Sequence, residues 1–284
     1  MLTKFLYKEN NKKKIGFIIL FGLVIIIYLY SYLHTSSSEQ NHCPNNHKNE
    51  NFMEECLIDV LSNLPYNPKE DKYSAHHSTA RTGKWNEEIR FNPLKIDNSK
   101  KCVILDVGGN TNSDDTWIFL SKYPECEYYV YEPIPSYVKN LEKVFKNNEN
   151  VHVKGVGWGY KDEEVYISSK SLQGGATFIM DSKGGKGNIL IKMKTPSSIL
   201  EEIPFDDIDL LHLNCEGGEW EALLFMGEND LFKKFKTIQM SFHNYGNVGV
   251  GIRSLQLCEI RKYLGNTHTM VEGIPYGWER YERK

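Results

Sequence analysis

The chain has 284 residues, enough for one large domain or two small ones. Apolar residues make up 40% and charged residues 25%, which are ordinary globular values. A formal net charge of -3 leaves no overall basic footprint, which argues against nucleic acid as a partner.

Residues 1–14 form a basic tail. Residues 15–33 (IGFIILFGLVIIIYLYSYL) carry no charge. A membrane-spanning helix needs about 20 mainly apolar residues, so this run is long enough to contact the lipid bilayer as an anchor. Tyr30 and Tyr32 suit an interfacial belt. A cleaved signal peptide has a shorter apolar region and then small residues; here the run ends in Tyr and Leu, which favours an uncleaved anchor. Lys4, Lys8, Lys12, Lys13 and Lys14 precede the run, and no Lys or Arg follows before Lys48. The positive-inside rule then predicts a single-pass type II protein, with its C-terminal bulk in the lumen of the endoplasmic reticulum or Golgi. Six cysteines suit an oxidising lumen. Cys43 and Cys56 are the expected stem pair, while Cys102 and Cys126 each precede a strand expected to neighbour the other. The lack of any Asn-x-Ser/Thr acceptor weighs mildly against a lumenal location.

Residues 34–100 read as a stem and N-terminal extension. The first part is Ser/Asn/His-rich and polar. Residues 54–64 (EECLIDVLSNL) have helical apolar spacing, and residues 67–101 show no clear period. From residue 101 to 284 the texture is that of an α/β domain. Strands are expected at 102–107, 127–131, 151–156, 208–213 and 236–242. Helices are expected at 114–122, with Ser113 as N-cap, at 135–146, from 219, and at 252–264, with Gly265 at the C-cap. Residues 267–274 and 276–282 should close the domain as a hairpin. Strands alternating with helices imply a mainly parallel sheet with helices on both faces.

In such a sheet, ligands sit at the carboxyl ends of the strands, near the switch point. The first strand ends in Asp106-Val107-Gly108-Gly109-Asn110. The second ends in Glu132, 24 positions beyond Gly108, where a carboxylate can accept hydrogen bonds from ribose hydroxyls. The fourth ends in Asn214-Cys215-Glu216-Gly217-Gly218. These tips together point to a nucleotide-type ligand. The G-x-G-x-x-G fingerprint of dehydrogenases is absent, as is the triphosphatase loop. Asp114 and Asp115 occupy the first helical turn, where a phosphate would meet two negative charges. A phosphate-free cationic cofactor, S-adenosylmethionine, fits better. No metal is expected. Trp158 and Tyr160 are candidates for stacking on adenine or for the core, and residues 174–187 (GGATFIMDSKGGKG) for a loop over the site.

Three stretches resemble the FkbM family of methyltransferases: VILDVGGNT, YVYEPIPSYVKNL and LLHLNCEGGEWEALL. IQMSFHNYG is similar to its fifth strand as well. The resemblance implies a Rossmann-like seven-stranded methyltransferase sheet, bound S-adenosylmethionine, and methyl transfer to a hydroxyl of a glycan or small molecule. It implies that Asp106, Gly108 and Glu132 line the cofactor pocket, with Gly109 and Asn214 alongside. Glu216 and Gly217 would face the cofactor–substrate junction. Asn110, His212 and Asn214 depart from the family pattern, and Asn214 cannot serve as a base. A hydroxyl acceptor must lose its proton, for which Glu216 and His243 are the candidate bases. The alternatives are a catalytically silent module that keeps the fold and a nicotinamide-dependent oxidoreductase.

Overall fold

The computed structural model of the chain describes residues 50–62, 66–67, 72–73, 90–91, 94–96, 101–168, 180–181, 188–243, 250–273 and 277–284. The apolar run 15–33 and the stem up to residue 49 lie outside the described residues, and so does Cys43. Among the described residues, no helix is long and apolar enough to cross a membrane.

Helix α1 spans Glu50–Ser62 and buries Cys56 and Val60. Cys56 is bonded to Cys258, at a Cα–Cα distance of 5.8 Å, which corrects the expected pairing with Cys43. The two partners are 202 residues apart, a distance that local spacing cannot reveal. Strands β1 (Tyr66–Asn67) and β2 (Lys72–Tyr73) form a small antiparallel ladder.

The main sheet is built from β3 (Val103–Val107), β4 (Glu127–Tyr131), β5 (Val151–Lys154), β10 (Ile208–Leu213), β11 (Phe235–Ser241), β12 (His268–Gly273) and β13 (Trp278–Arg283). Its order is β12-β13-β11-β10-β3-β4-β5. The five strands from β11 to β5 are parallel, and β13 runs antiparallel to both β11 and β12. The sheet is therefore seven-stranded and mixed. VILDV and IDLLHL are mainly apolar and fully buried because β3 and β10 are covered on both faces. Disulfide Cys102–Cys126 joins the starts of neighbouring β3 and β4.

Helix α2 (Asp114–Lys122) follows β3, α3 (Pro135–Val144) follows β4, and α4 (Pro196–Glu201) precedes β10. Helix α5 (Glu219–Glu228) links β10 to β11, and α6 (Val250–Thr267) leads into β12. Two helix ends differ from expectation. Ser113 holds the N-cap position as expected, but with φ 47° its hydroxyl turns inward to Asp106 and makes no capping hydrogen bond. Helix α6 continues through Gly265, where a side chain would meet open space, so glycine there is not forced by a C-cap.

A second sheet was not expected. It has the order β6-β9-β7-β8, from β6 (Gly157–Trp158), β7 (Glu163–Ser168), β8 (Met180–Asp181) and β9 (Asn188–Lys194). The strand expected at 151–156 stops at Lys154, and the chain crosses into this sheet. Within the Gly-rich stretch, residues 180–181 are strand; the rest of 174–187 lies outside the described residues. Ile167 and Ile191 pack with Ile134, which places this sheet beside the tip of β4.

Candidate functional site

The chain runs from β3 outward to β4 and β5, then returns to β10 on the other side of β3. The switch point thus lies between the tips of β3 and β10, where open α/β sheets bind ligands. A cavity of ≈ 610 Å³ opens there, within the range of small-molecule sites. Asp106, Gly108, Gly109, Glu132, Asn214 and Glu216 all line it.

The two tips approach closely. Asn214 N–H donates to Val107 O at 2.8 Å. Gly108 has φ +103°, and a Cβ there would lie 2.0 Å from Asn214 O. Only glycine fits this approach and this backbone angle. The N–H groups of Gly108 and Gly109 both donate to Tyr131 O, at 2.9 and 3.0 Å, which ties the loop to β4. Asp106 is buried, and its Oδ2 accepts from Ser113 Oγ at 2.9 Å and from Thr116 Oγ1. Its carboxylate thus shapes the loop as well as lining the cavity. Burial raises its pKa, against the pull of His212 and the two hydroxyls.

Glu132 stands at the tip of β4, 4% exposed. Its Oε2 accepts from Asn110 N–H and its Oε1 from Ile134 N–H, both at 2.9 Å. Burial pushes its pKa up to about 7 despite these two donors. Each oxygen keeps a lone pair for a ligand hydroxyl.

At the tip of β10, Glu216 (φ 52°) and Gly217 (φ 108°) take left-handed backbone. Asn110 and Ser113 share this conformation and also line the cavity. Each such non-glycine residue costs about 1–3 kcal/mol and persists only where surrounding structure enforces it. For Glu216 the enforcement is visible. Glu219 is fully buried; its Oε2 accepts from Gly217 N–H at 2.6 Å and its Oε1 from His243 N–H at 2.5 Å. Glu216 Oε2 is buried and has no hydrogen-bond partner. A buried acceptor without a partner costs about 1–3 kcal/mol, so this oxygen is suited to receive a donor from a ligand.

His243 is not among the lining residues. Its Nε2 sits 3.7 Å from Glu216 Oε1 and its Nδ1 3.4 Å from Glu219 Oε1. Burial opposes charging, but its hydrogen bond to Glu219 and the charges of Glu219 and Glu216 raise its pKa. It stands behind Glu216. Cys215 also lines the cavity; burial and the neighbouring glutamates push its thiol up, so it is no ready nucleophile. Trp158 is buried in the wall, with Nε1 lacking a partner. Tyr160 is outside: its hydroxyl donates to Glu228 on the surface.

One premise needs correction. Asp115 is not a bare charge: Arg90 pairs with it, and His212 Nε2 lies 3.0 Å away. Burial opposes ionisation, but the His212 hydrogen bond and the Arg90 guanidinium hold its carboxyl well below the usual range. The argument against a phosphate at this helix therefore rests on Asp114 alone. Arg90 and Phe91, missed in the sequence, also line the cavity.

The methyltransferase FkbM domain, as a family, matches residues 106–267. The chain belongs to that family. No curated protein matches. Among solved structures, fibrillarin of Aeropyrum pernix with natively bound S-adenosyl-L-methionine is 12% identical over 69% of this chain and 76% of its own, with a TM-score of 0.40. The N-terminal domain of human METTL16 with SAH is 11% identical over 86% and 99%, with a TM-score of 0.38. Precorrin-6y C5,15-methyltransferase from Geobacter metallireducens is 12% identical over 70% and 87%, with a TM-score of 0.37. Likenesses this distant decide nothing further.

The cofactor implied by the FkbM methyltransferase fold is S-adenosylmethionine, and the cavity fits it. Asp106, Asp114, Glu132 and Glu216 give the lining carboxylates for a sulfonium and an ammonium, while Asp115 is compensated by Arg90 and His212. Glu132 is placed for ribose hydroxyls, and the bare Glu216 oxygen for a polar partner.

Proposed function

We propose that the chain methylates a hydroxyl oxygen of a glycan or small molecule from S-adenosylmethionine, with Glu216 as the general base. The unpartnered, buried carboxylate oxygen of Glu216 on the cavity wall carries this reading. Bound S-adenosylmethionine supplies a methyl group activated by its sulfonium. Glu132 holds the ribose, and Gly108 lets the backbone come close. Glu216 takes the acceptor's proton as attack proceeds, and alignment of the reacting groups supplies much of the rate. His243 stands behind Glu216 and off the cavity wall, so it steadies Glu216 and is not itself the base. The strain held at Glu216 supports an active enzyme over a silent module, because an unused site has no reason to keep it.

We also propose a membrane anchor at residues 15–33 with the enzyme facing a secretory-pathway lumen. The two disulfides support an oxidising compartment. The chemistry is tested by incubating the full chain with methyl-labelled S-adenosylmethionine and a secretory-membrane extract. Label in methyl ether linkages is expected, and label only on nitrogen, sulfur or carboxylates rejects transfer to a hydroxyl. Alkaline carbonate extraction tests the anchor: release into the soluble fraction rejects it.

A further inference from the structure

We propose that Arg90, which precedes the family-matched residues, binds the carboxylate end of the cofactor's amino-acid tail. This assignment rests on the methyltransferase reading above.

Among the described residues, five carboxylates line the cavity and Arg90 is the one cation on its wall. The tail of S-adenosylmethionine ends in an ammonium and a carboxylate. The acidic lining suits the ammonium and the sulfonium, but it repels the carboxylate unless a cation receives it. Arg90 is built for that role. Its guanidinium lies 4.9 Å from the Phe91 ring and 4.8 Å from the Trp278 ring, so its plane is held between aromatic faces. Only one terminal nitrogen, Nη2, reaches both oxygens of Asp115. Nε is buried and has no partner. A turn about the Nη2 contact presents the rest of the planar fork to a second carboxylate. Asp115 stays compensated meanwhile, because His212 holds its Oδ2 from the β10 side.

The position also fits. Glu132, the ribose group, is at the tip of β4; His212 and Trp278, which flank the Arg90–Asp115 pair, belong to β10 and β13. β10 is two strands from β4 with β3 between them, about 10 Å across the sheet. A nucleoside anchored at Glu132 and passing over Gly108 delivers its tail to the side where Arg90 stands.

Calorimetric titration of the full chain in detergent, with S-adenosylmethionine and with its decarboxylated analogue, tests the assignment. Arg90→Gln should weaken S-adenosylmethionine about 30-fold, the share of a charge-assisted hydrogen bond. Binding of the decarboxylated compound should hold or tighten. Arg90→Lys keeps the charge without the fork and should lose less. It also decides the matter if the glutamine variant does not fold, by whether its loss is confined to S-adenosylmethionine. Equal losses for both compounds, or no loss for either, overturn the assignment. Wild-type protein that takes up neither compound overturns the methyltransferase reading, and the role of Arg90 falls with it.

Discussion

Adding one methyl group at Gly108 should collapse both fold stability and ligand binding. An alanine Cβ would sit 2.0 Å from Asn214 O, 2.7 Å from Asn214 C and 3.1 Å from Cys215 Cα. All three are backbone atoms, so no rotamer change relieves the overlap. Relief requires the tips of β3 and β10 to part, which breaks the Asn214 N–H to Val107 O bond. Leaving those buried groups unpaired costs about 1–3 kcal/mol. The positive φ of +103° adds about 1–3 kcal/mol of strain for any residue with a Cβ. Together Gly108→Ala should lose about 2–6 kcal/mol, a fall of roughly 10 °C in thermal midpoint for a protein of this size. The control is Gly265→Ala, at a helical position with nothing within 4 Å, which should gain about 1 kcal/mol. Circular-dichroism melting reads both. If Gly108→Ala melts within about 2 °C of wild type and still binds S-adenosylmethionine, the close approach of the two strand tips does not build the site.

Three further perturbations probe other parts. Glu216→Gln should cut methyl transfer by about 10²–10⁴-fold while cofactor affinity changes little; an equal loss in affinity would make Glu216 a binding group. Glu132 has its pKa raised from 4.5 to about 7, so its contribution to stability is present in acid and is lost as pH rises through that window. Ligand hydroxyls need its ionised form, so affinity should rise as pH climbs through about 7 and be flat in Glu132→Gln; a wild-type profile equally flat refutes the ribose contact. Replacing Cys56 and Cys258 together with alanine opens a loop of 202 residues and should cost about 5 kcal/mol by chain entropy, read as a lowered denaturation midpoint. An unchanged midpoint would place that stabilisation elsewhere.

The main sheet was readable because its central strands are buried on both faces. VILDV, EYYVY and IDLLHL therefore appear as short, mainly apolar runs between turn signals. The second sheet was missed although β9 alternates Ile189, Ile191 and Met193 with Asn188, Leu190, Lys192 and Lys194, of which only Leu190 is apolar. That period of two is the signal of a half-buried strand, but the glycines just before it read as a loop. Asp106, Glu132 and Glu216 could be placed because each stands at or just beyond a strand end. Arg90 could not, since it lies in a polar stretch without period and reaches the cavity only through packing on Trp278. His243 was placed at its strand end, but the fully buried Glu219 behind it, which raises its pKa, has no mark in one dimension.

The bond between α1 and α6 sets where this protein can be cut. Phe52, Met53, Leu57, Val60 and Leu61 of α1 pack on the same core as Leu257, Ile260 and Leu264 of α6. A fragment starting at residue 101 would keep every strand of both sheets. It would also uncover that greasy flank and leave Cys258 as a lone thiol, so clumping and mispaired dimers should follow. Expression from Glu50 onward retains the cover and both halves of the bridge.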